Sequence, residues 1–140
     1  MTKHYSLSLS LSLSLSLDNA SILQRVKEGY LLWLGFVQHL PKNQRYTIGA
    51  RIDNKLLDLL ELTHTAYLIN QANAAEKINA VSACIFELDK IKFLAQIAWE
   101  SKLLGQKQFA ELGGKLDEIG RMLGGWRNKL LNPNKKNRAW

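Results

Sequence analysis

The sequence predicts an all-α fold, an antiparallel up-down four-helix bundle, and three observations lead there. Apolar residues recur at three-, four- and seven-residue spacings through four long stretches between residues 18 and 131. The joints between these stretches are short and carry helix-ending or turn-forming residues: Pro41, Asn73, Gly105 and Pro133. Beyond the N-terminal tail, no alternating run of β-branched residues signals a strand. At 140 residues, with 46% hydrophobic and 22% charged side chains, the chain has the length and composition of one globular domain.

Residues 6–17 are six Ser-Leu repeats. Their two-residue period would put every leucine on one face of a strand but scatter them around a helix. With no second strand to pair with, residues 1–17 are read as a low-complexity extension outside the fold, its leucines prone to contact other copies. The bundle is expected over 18–132, followed by a basic tail at 133–140.

Helix one starts at the candidate caps Asp18, Asn19 and Ser21, carries Ile22, Val26, Trp33, Val37 and Leu40 at helical spacing, and ends at Pro41. Leu31, Leu32 and Phe36 fall outside that face, so this helix should be covered on two sides. Helix two follows the polar joint 41–44, with Ile48, Ile52, Leu56, Leu59, Leu60 and Tyr67 on its apolar face. For helix three, Asn73 and Glu76 form a capping-box-like start. Ile78, Val81, Ile85, Leu88, Ala95 and Trp99 mark its buried side, and Gly105 is its expected stop. Helix four runs from about Lys107 to Leu131, with Leu112, Leu116, Ile119, Leu123, Trp126 and Leu130 on one side. Gly113, Gly120 and Gly124 form a stripe beside that face. Glycine inside a helix costs about 0.5–1 kcal/mol relative to alanine, so the stripe implies close approach of another backbone, from the same bundle or a neighbouring subunit. The excess apolar surface of helix one favours an oligomer.

The formal net charge of +7 is unevenly placed. Residues 1–89 hold eight basic and eight acidic side chains, whereas from Ile119 onward there are six basic residues and no acid. Such asymmetry fits a polyanionic partner such as nucleic acid, and by itself fits equally a solvated surface that resists aggregation. Two basic groups are candidate binding residues: Lys42, Arg45, Arg51 and Lys55 near the first joint, and Arg121, Arg127, Lys129, Lys135, Lys136 and Arg138 at the end. Up-down topology puts the start of helix two and the end of helix four at opposite ends of the bundle. The aromatic residues Tyr46, Trp126 and Trp140 flank these groups and are able to stack on bases, although Tyr46 and Trp126 sit where core anchors are commoner.

Chemistry is harder to find. His4, His39 and His64 stand apart with no partner at metal-ligand spacing. Glu61 and His64 form the i, i+3 pair of a di-iron bundle, but the second such pair is missing. There is no nucleophile elbow, phosphate loop or dinucleotide fingerprint, because the Gly113-Gly114 and Gly124-Gly125 pairs lie within a helical pattern. The expectation is a binding protein with no catalytic residue, metal or cofactor. The single cysteine, Cys84, falls among apolar residues as a buried thiol suited to a reducing compartment. No apolar run approaches the roughly 18 residues that span a bilayer, and no signal-peptide block opens the chain. A cytoplasmic protein with no membrane partner is expected.

The segments Leu40-Pro41-Lys42, Arg45-Tyr46-Thr47-Ile48-Gly49 and Arg51-Ile52, with the distant Glu118-Ile119-Gly120-Arg121-Met122-Leu123-Gly124-Gly125-Trp126, resemble a small four-helix-bundle family. That family comprises the accessory variability determinant (Avd) of diversity-generating retroelements and the proteins encoded in intervening sequences of large-subunit ribosomal RNA. The resemblance covers about residues 20–131, and the glycine-tryptophan motif is its most specific part. It implies a pentameric, barrel-like homo-oligomer with a basic surface and no catalytic centre. In the retroelement branch this assembly binds the reverse transcriptase and RNA or DNA, in support of mutagenic complementary-DNA synthesis and retrohoming. The resemblance makes Gly120, Gly124, Gly125 and Trp126 the structural motif and Arg121 its basic position. The intervening-sequence branch shares fold and motif, with a structural or weak ribosome-binding role as the alternative, and the basic excess favours the retroelement branch.

Overall fold

A computed structural model describes residues 17–133. Four long helices follow one another: α1 (Leu17–Val37), α2 (Ala50–Leu68), α3 (Ala74–Glu100) and α4 (Gln106–Leu131). No strand occurs among the described residues. Each helix packs on the next in sequence and α4 returns to α1, which closes a square. Short joints make the neighbours antiparallel, as the sequence predicts. The surface formed by α1 and α2 therefore lies opposite the one formed by α3 and α4. All of the Ser-Leu repeat but Leu17, and the tail from Asn134 with Lys135, Lys136, Arg138 and Trp140, lie outside the described residues, as does His4.

The core is the set of stripes that the spacing marks. Ile22, Val26 and Trp33 of α1 meet Ile52, Leu56 and Leu59 of α2, Val81, Leu88 and Ala95 of α3, and Leu112, Leu116, Ile119 and Leu123 of α4, all buried. Cys84 is buried with them, where it lies 3.7 Å from the Thr63 hydroxyl, and burial pushes its thiol pKa up. The second covering expected for α1 is incomplete: Leu32 and Phe36 are half-buried and Leu31 stays exposed.

The helix ends differ from expectation in α1, which takes in all three candidate caps by beginning at Leu17 and stops at Val37, short of Pro41, and in three further places. First, α3 stops at Ser101 and not at Gly105, through a left-handed Lys102 (φ 67°) that lets Lys102 N–H donate to Trp99 O and Leu103 N–H donate to Ala98 O. This is the bond pattern of a Schellman ending, with lysine where glycine is usual. Gly105 instead precedes α4, its N–H donating to Gln108 Oε1 at 3.0 Å. Second, Asn73 precedes α3 without any side-chain capping bond, so the expected box with Glu76 does not form. Third, helix two is preceded by a single turn, Lys42–Gln44, and a π-helical segment, Arg45–Gly49, with non-helical dihedrals at Thr47. Thr47 Oγ1 lies 3.5 Å from Asn43 O, the back-bonded geometry with which Ser and Thr bend helices.

Candidate functional site

Helix α4 carries acids only as far as Glu118; its first-turn Lys107 is exposed with no carboxylate partner among the described residues, and the ion pairs cluster at 115–118. Before Ile119, Lys115 pairs with Glu28 at 3.3 Å and with Glu118 at 3.7 Å. Arg25 bridges Glu28 and Glu118, each at 3.2 Å, and Lys92 of α3 reaches Asp117 at 3.2 Å. The Glu28 carboxyl is held below the usual range, first by a hydrogen bond from Gln24 and then by one from Lys115. After Glu118 the sequence offers no further acid. Arg121 and Arg127 are exposed and have no carboxylate partner among the described residues, and Lys129 is exposed beside them. They do not share one face. At about 100° per residue, Arg127 and Lys129 are about 160° apart around the axis, so the cations surround the end of α4 like a collar.

The other basic group divides into structural and available members. Arg45 Nε donates to Leu40 O at 2.9 Å and Nη2 to Gln38 O at 3.0 Å, so this guanidinium ties the approach to helix two to the turn that follows α1. Lys55 pairs with the buried Glu87 of α3 at 3.3 Å, which Lys90 also reaches at 3.6 Å. Both are binding candidates by charge, and both are engaged within the bundle. Lys42 and Arg51 are exposed. Arg51 lines an open groove of about 700 Å³ with Tyr46, Ile48, Asn54 and Leu94. Tyr46 is 79% exposed, which corrects its expected place as a core anchor. As the topology requires, this group and the α4 collar occupy opposite ends of the bundle.

The glycine-tryptophan motif likewise splits. A Cβ on Gly120 would lie 3.3 Å from both Leu88 Cδ2 and Lys92 Nζ, so here α4 does approach α3 closely. Gly113, Gly124 and Gly125 have nothing within 4 Å of such a Cβ. The close approach expected of Gly124 and Gly125 is therefore not made within the bundle, because they face outward. Trp126 is buried, and Lys77 Nζ stands 5.6 Å from the centre of its ring. Lys77 is only 2% exposed, yet no carboxylate among the described residues pairs with it. Its ammonium donates to Ala66 O at 2.9 Å, Tyr67 O at 3.3 Å and Ile69 O at 2.5 Å, the last carbonyls of α2. All three of its protons are thus placed at the negative end of a helix dipole. Burial pushes its pKa below the usual lysine range.

The bundle, the motif and the charge sorting coincide with a family match. The bAvd-like family model matches residues 22–130. The chain belongs to the bAvd-like family. This is a family of Avd-type accessory, non-catalytic proteins, and its retroelement association gives the coarse functional class. No curated protein and no solved structure matches the chain.

Within this bAvd-like bundle, no group of three or more His, Cys, Asp or Glu that could hold a metal occurs among the described residues. Nor is any helix there long and apolar enough to cross a membrane. Sequence reasoning missed Lys77 as the residue beneath Trp126. The signal was present: Lys77 lies four, seven and eleven residues before Val81, Cys84 and Leu88, in register with the buried stripe of α3. A lysine there has to find carbonyls or a carboxylate in the core.

Proposed function

We propose that this chain is the accessory protein of a diversity-generating retroelement. In this role it is a non-enzymatic bundle that assembles as a pentamer, binds the reverse transcriptase and holds RNA or DNA, and so supports mutagenic complementary-DNA synthesis and retrohoming. The observation that carries the proposal is the charge sorting on α4. Acids and cations alternate on α4 as far as Glu118, where Lys115 is paired; beyond it only cations follow, and Arg121 and Arg127 have no carboxylate partner among the described residues, a one-signed surface suited to a polyanion. Arg121, Arg127 and Lys129 would contact phosphates without reading bases. Lys42 and Arg51 supply further cations at the opposite end, and the tail residues Lys135, Lys136 and Arg138 extend the collar's charge.

Assembly is supported by apolar surface on two opposite sides. Phe86 and Phe93 of α3 are 66% and 63% exposed, while Leu31 of α1, diagonally across the square, is 56% exposed. Two different patches on opposite sides favour a head-to-tail contact, the kind that closes into a ring of more than two subunits.

The test is co-purification with the cognate reverse transcriptase and template RNA, with RNA affinity measured across a salt titration. Replacing Arg121, Arg127 and Lys129 together by alanine should weaken binding. It should also lower the log-log salt slope by about 0.7 for each single-strand phosphate that the variant no longer neutralises. An oligomer without salt-sensitive RNA binding would instead favour the intervening-sequence type, with a structural or weak ribosome-binding role.

A further inference from the structure

We infer that the groove at the start of α2 holds an unpaired base of a single-stranded nucleic acid, stacked on Tyr46, with the adjoining phosphate on Arg51. This rests on the nucleic-acid part of the function proposed above. It adds a second contact, of a different chemical kind, at the end of the bundle away from the α4 collar. An aromatic ring left 79% in water gives up the burial that normally places it in a core. The backbone that presents it is fixed on both sides. Arg45 is anchored on Gln38 O and Leu40 O of the turn after α1, and Thr47 Oγ1 lies 3.5 Å from Asn43 O. The ring is therefore held out from a pinned segment, a preorganised platform.

The other walls suit a nucleotide. Ile48 and Leu94 make the groove's floor partly apolar, and Asn54 brings an amide able to donate to and accept from a base edge. Arg51 has no carboxylate partner among the described residues. Of the residues that line the groove one is an acid, Asp58, two turns beyond Arg51 and about 10 Å along the axis, and the second lining cation, Lys55, is held by Glu87. A phosphate is thus favoured at the Arg51 end, away from Asp58. A duplex keeps its base faces stacked and inaccessible to Tyr46, so the site selects single strands.

The experiment measures binding of the full chain to a labelled, unstructured single-stranded RNA of mixed sequence, and to the same RNA as a duplex, across a salt titration. Tyr46→Ala should weaken single-strand binding about 5- to 100-fold with an unchanged salt slope, because stacking releases no counterions. Tyr46→Phe should bind like the wild type, and duplex binding should be insensitive to both. Arg51→Ala should lower the single-strand slope by about 0.7. Circular dichroism and thermal unfolding will show that the exposed-site variants remain folded. If the wild type binds and Tyr46→Ala binds equally well, the groove is not the site, although the collar reading stands. If Tyr46→Ala loses only co-purification with the reverse transcriptase, the groove is a protein-docking surface and the inference is wrong. If the wild type binds no RNA at low salt, both readings fall.

Discussion

Replacing Lys77 by methionine tests whether a buried cation without a counter-ion holds the end of α2. Methionine keeps a side chain of similar length and removes the three donors, leaving the carbonyls of Ala66, Tyr67 and Ile69 to find other partners. Ala66 is fully buried, whereas Tyr67 and Ile69 are half-buried and within reach of water. One stranded buried acceptor costs about 1–3 kcal/mol. Loss of a cation at a partly buried helix C-terminus adds up to about 2 kcal/mol. Against this stands the cost of burying an ammonium, which the lowered pKa of Lys77 reports and which the substitution removes. We expect a net loss of about 2–4 kcal/mol. At the m-values usual for small domains this lowers the urea midpoint by about 1–2 M at unchanged slope. Combining Lys77→Met with Trp126→Phe should be non-additive by about 0.5–2 kcal/mol, the size of a desolvated cation–π contact. A midpoint that stays put or rises for Lys77→Met would refute the reasoning. It would mean that the carbonyls are satisfied as well by water, and that Lys77 is tolerated in the core without supporting it.

Five further substitutions probe the outer surface and the α3–α4 joint. Gly124→Ala and Gly125→Ala should each stabilise the bundle by about 0.5–1 kcal/mol, since nothing stands within 4 Å of either new methyl group. Gly120→Ala should gain less, because Leu88 and Lys92 have to move aside. A fall in the unfolding midpoint for Gly124→Ala or Gly125→Ala, compared at two protein concentrations, would show instead that a neighbouring subunit occupies that surface. Lys102→Gly removes a left-handed lysine. The relief of about 1 kcal/mol is partly offset by the extra freedom of glycine in the unfolded chain, for a net gain of about 0.5 kcal/mol in chemical denaturation. Phe93→Asp places a charge at a side chain 63% exposed, so circular dichroism should be unchanged while the mass by light scattering drops to that of a monomer; an intact oligomer would remove Phe93 from the assembly surface.

The helices are legible because their information is local. A stripe such as Leu112, Leu116, Ile119 and Leu123 states both that a helix forms and which side it buries, and short joints then leave an antiparallel bundle as the simplest closure. The ends are less legible, since several residues can satisfy the same orphan groups. The last carbonyls of α2 are taken by Lys77 from the next helix, and those of Gln38 and Leu40, just past α1, by Arg45. Neither is a capping residue by type. Gly105 reads as a stop because glycine costs least in the left-handed conformation, yet Lys102 adopts it. Leu103 and Leu104, which follow it, are buried, and their burial outweighs about 1 kcal/mol of backbone strain.

The site is legible as composition but not as availability. A count of Lys and Arg treats Lys115 and Arg121 alike, although they lie less than two turns apart on α4. Lys115 faces Glu28 on α1, whereas Arg121 faces solvent. The same count adds Arg45 and Lys55 to the binding group, when the first is tied to backbone and the second to Glu87, brought from a separation of 32 residues. What separates a structural cation from an available one is therefore the acid or carbonyl that folding brings to it. Where the sequence removes acids altogether, as it does after Glu118, availability becomes readable without a structure. That is why the α4 collar is visible from charge alone, and why the pairing of Tyr46 with Arg51 requires the bend that exposes the ring.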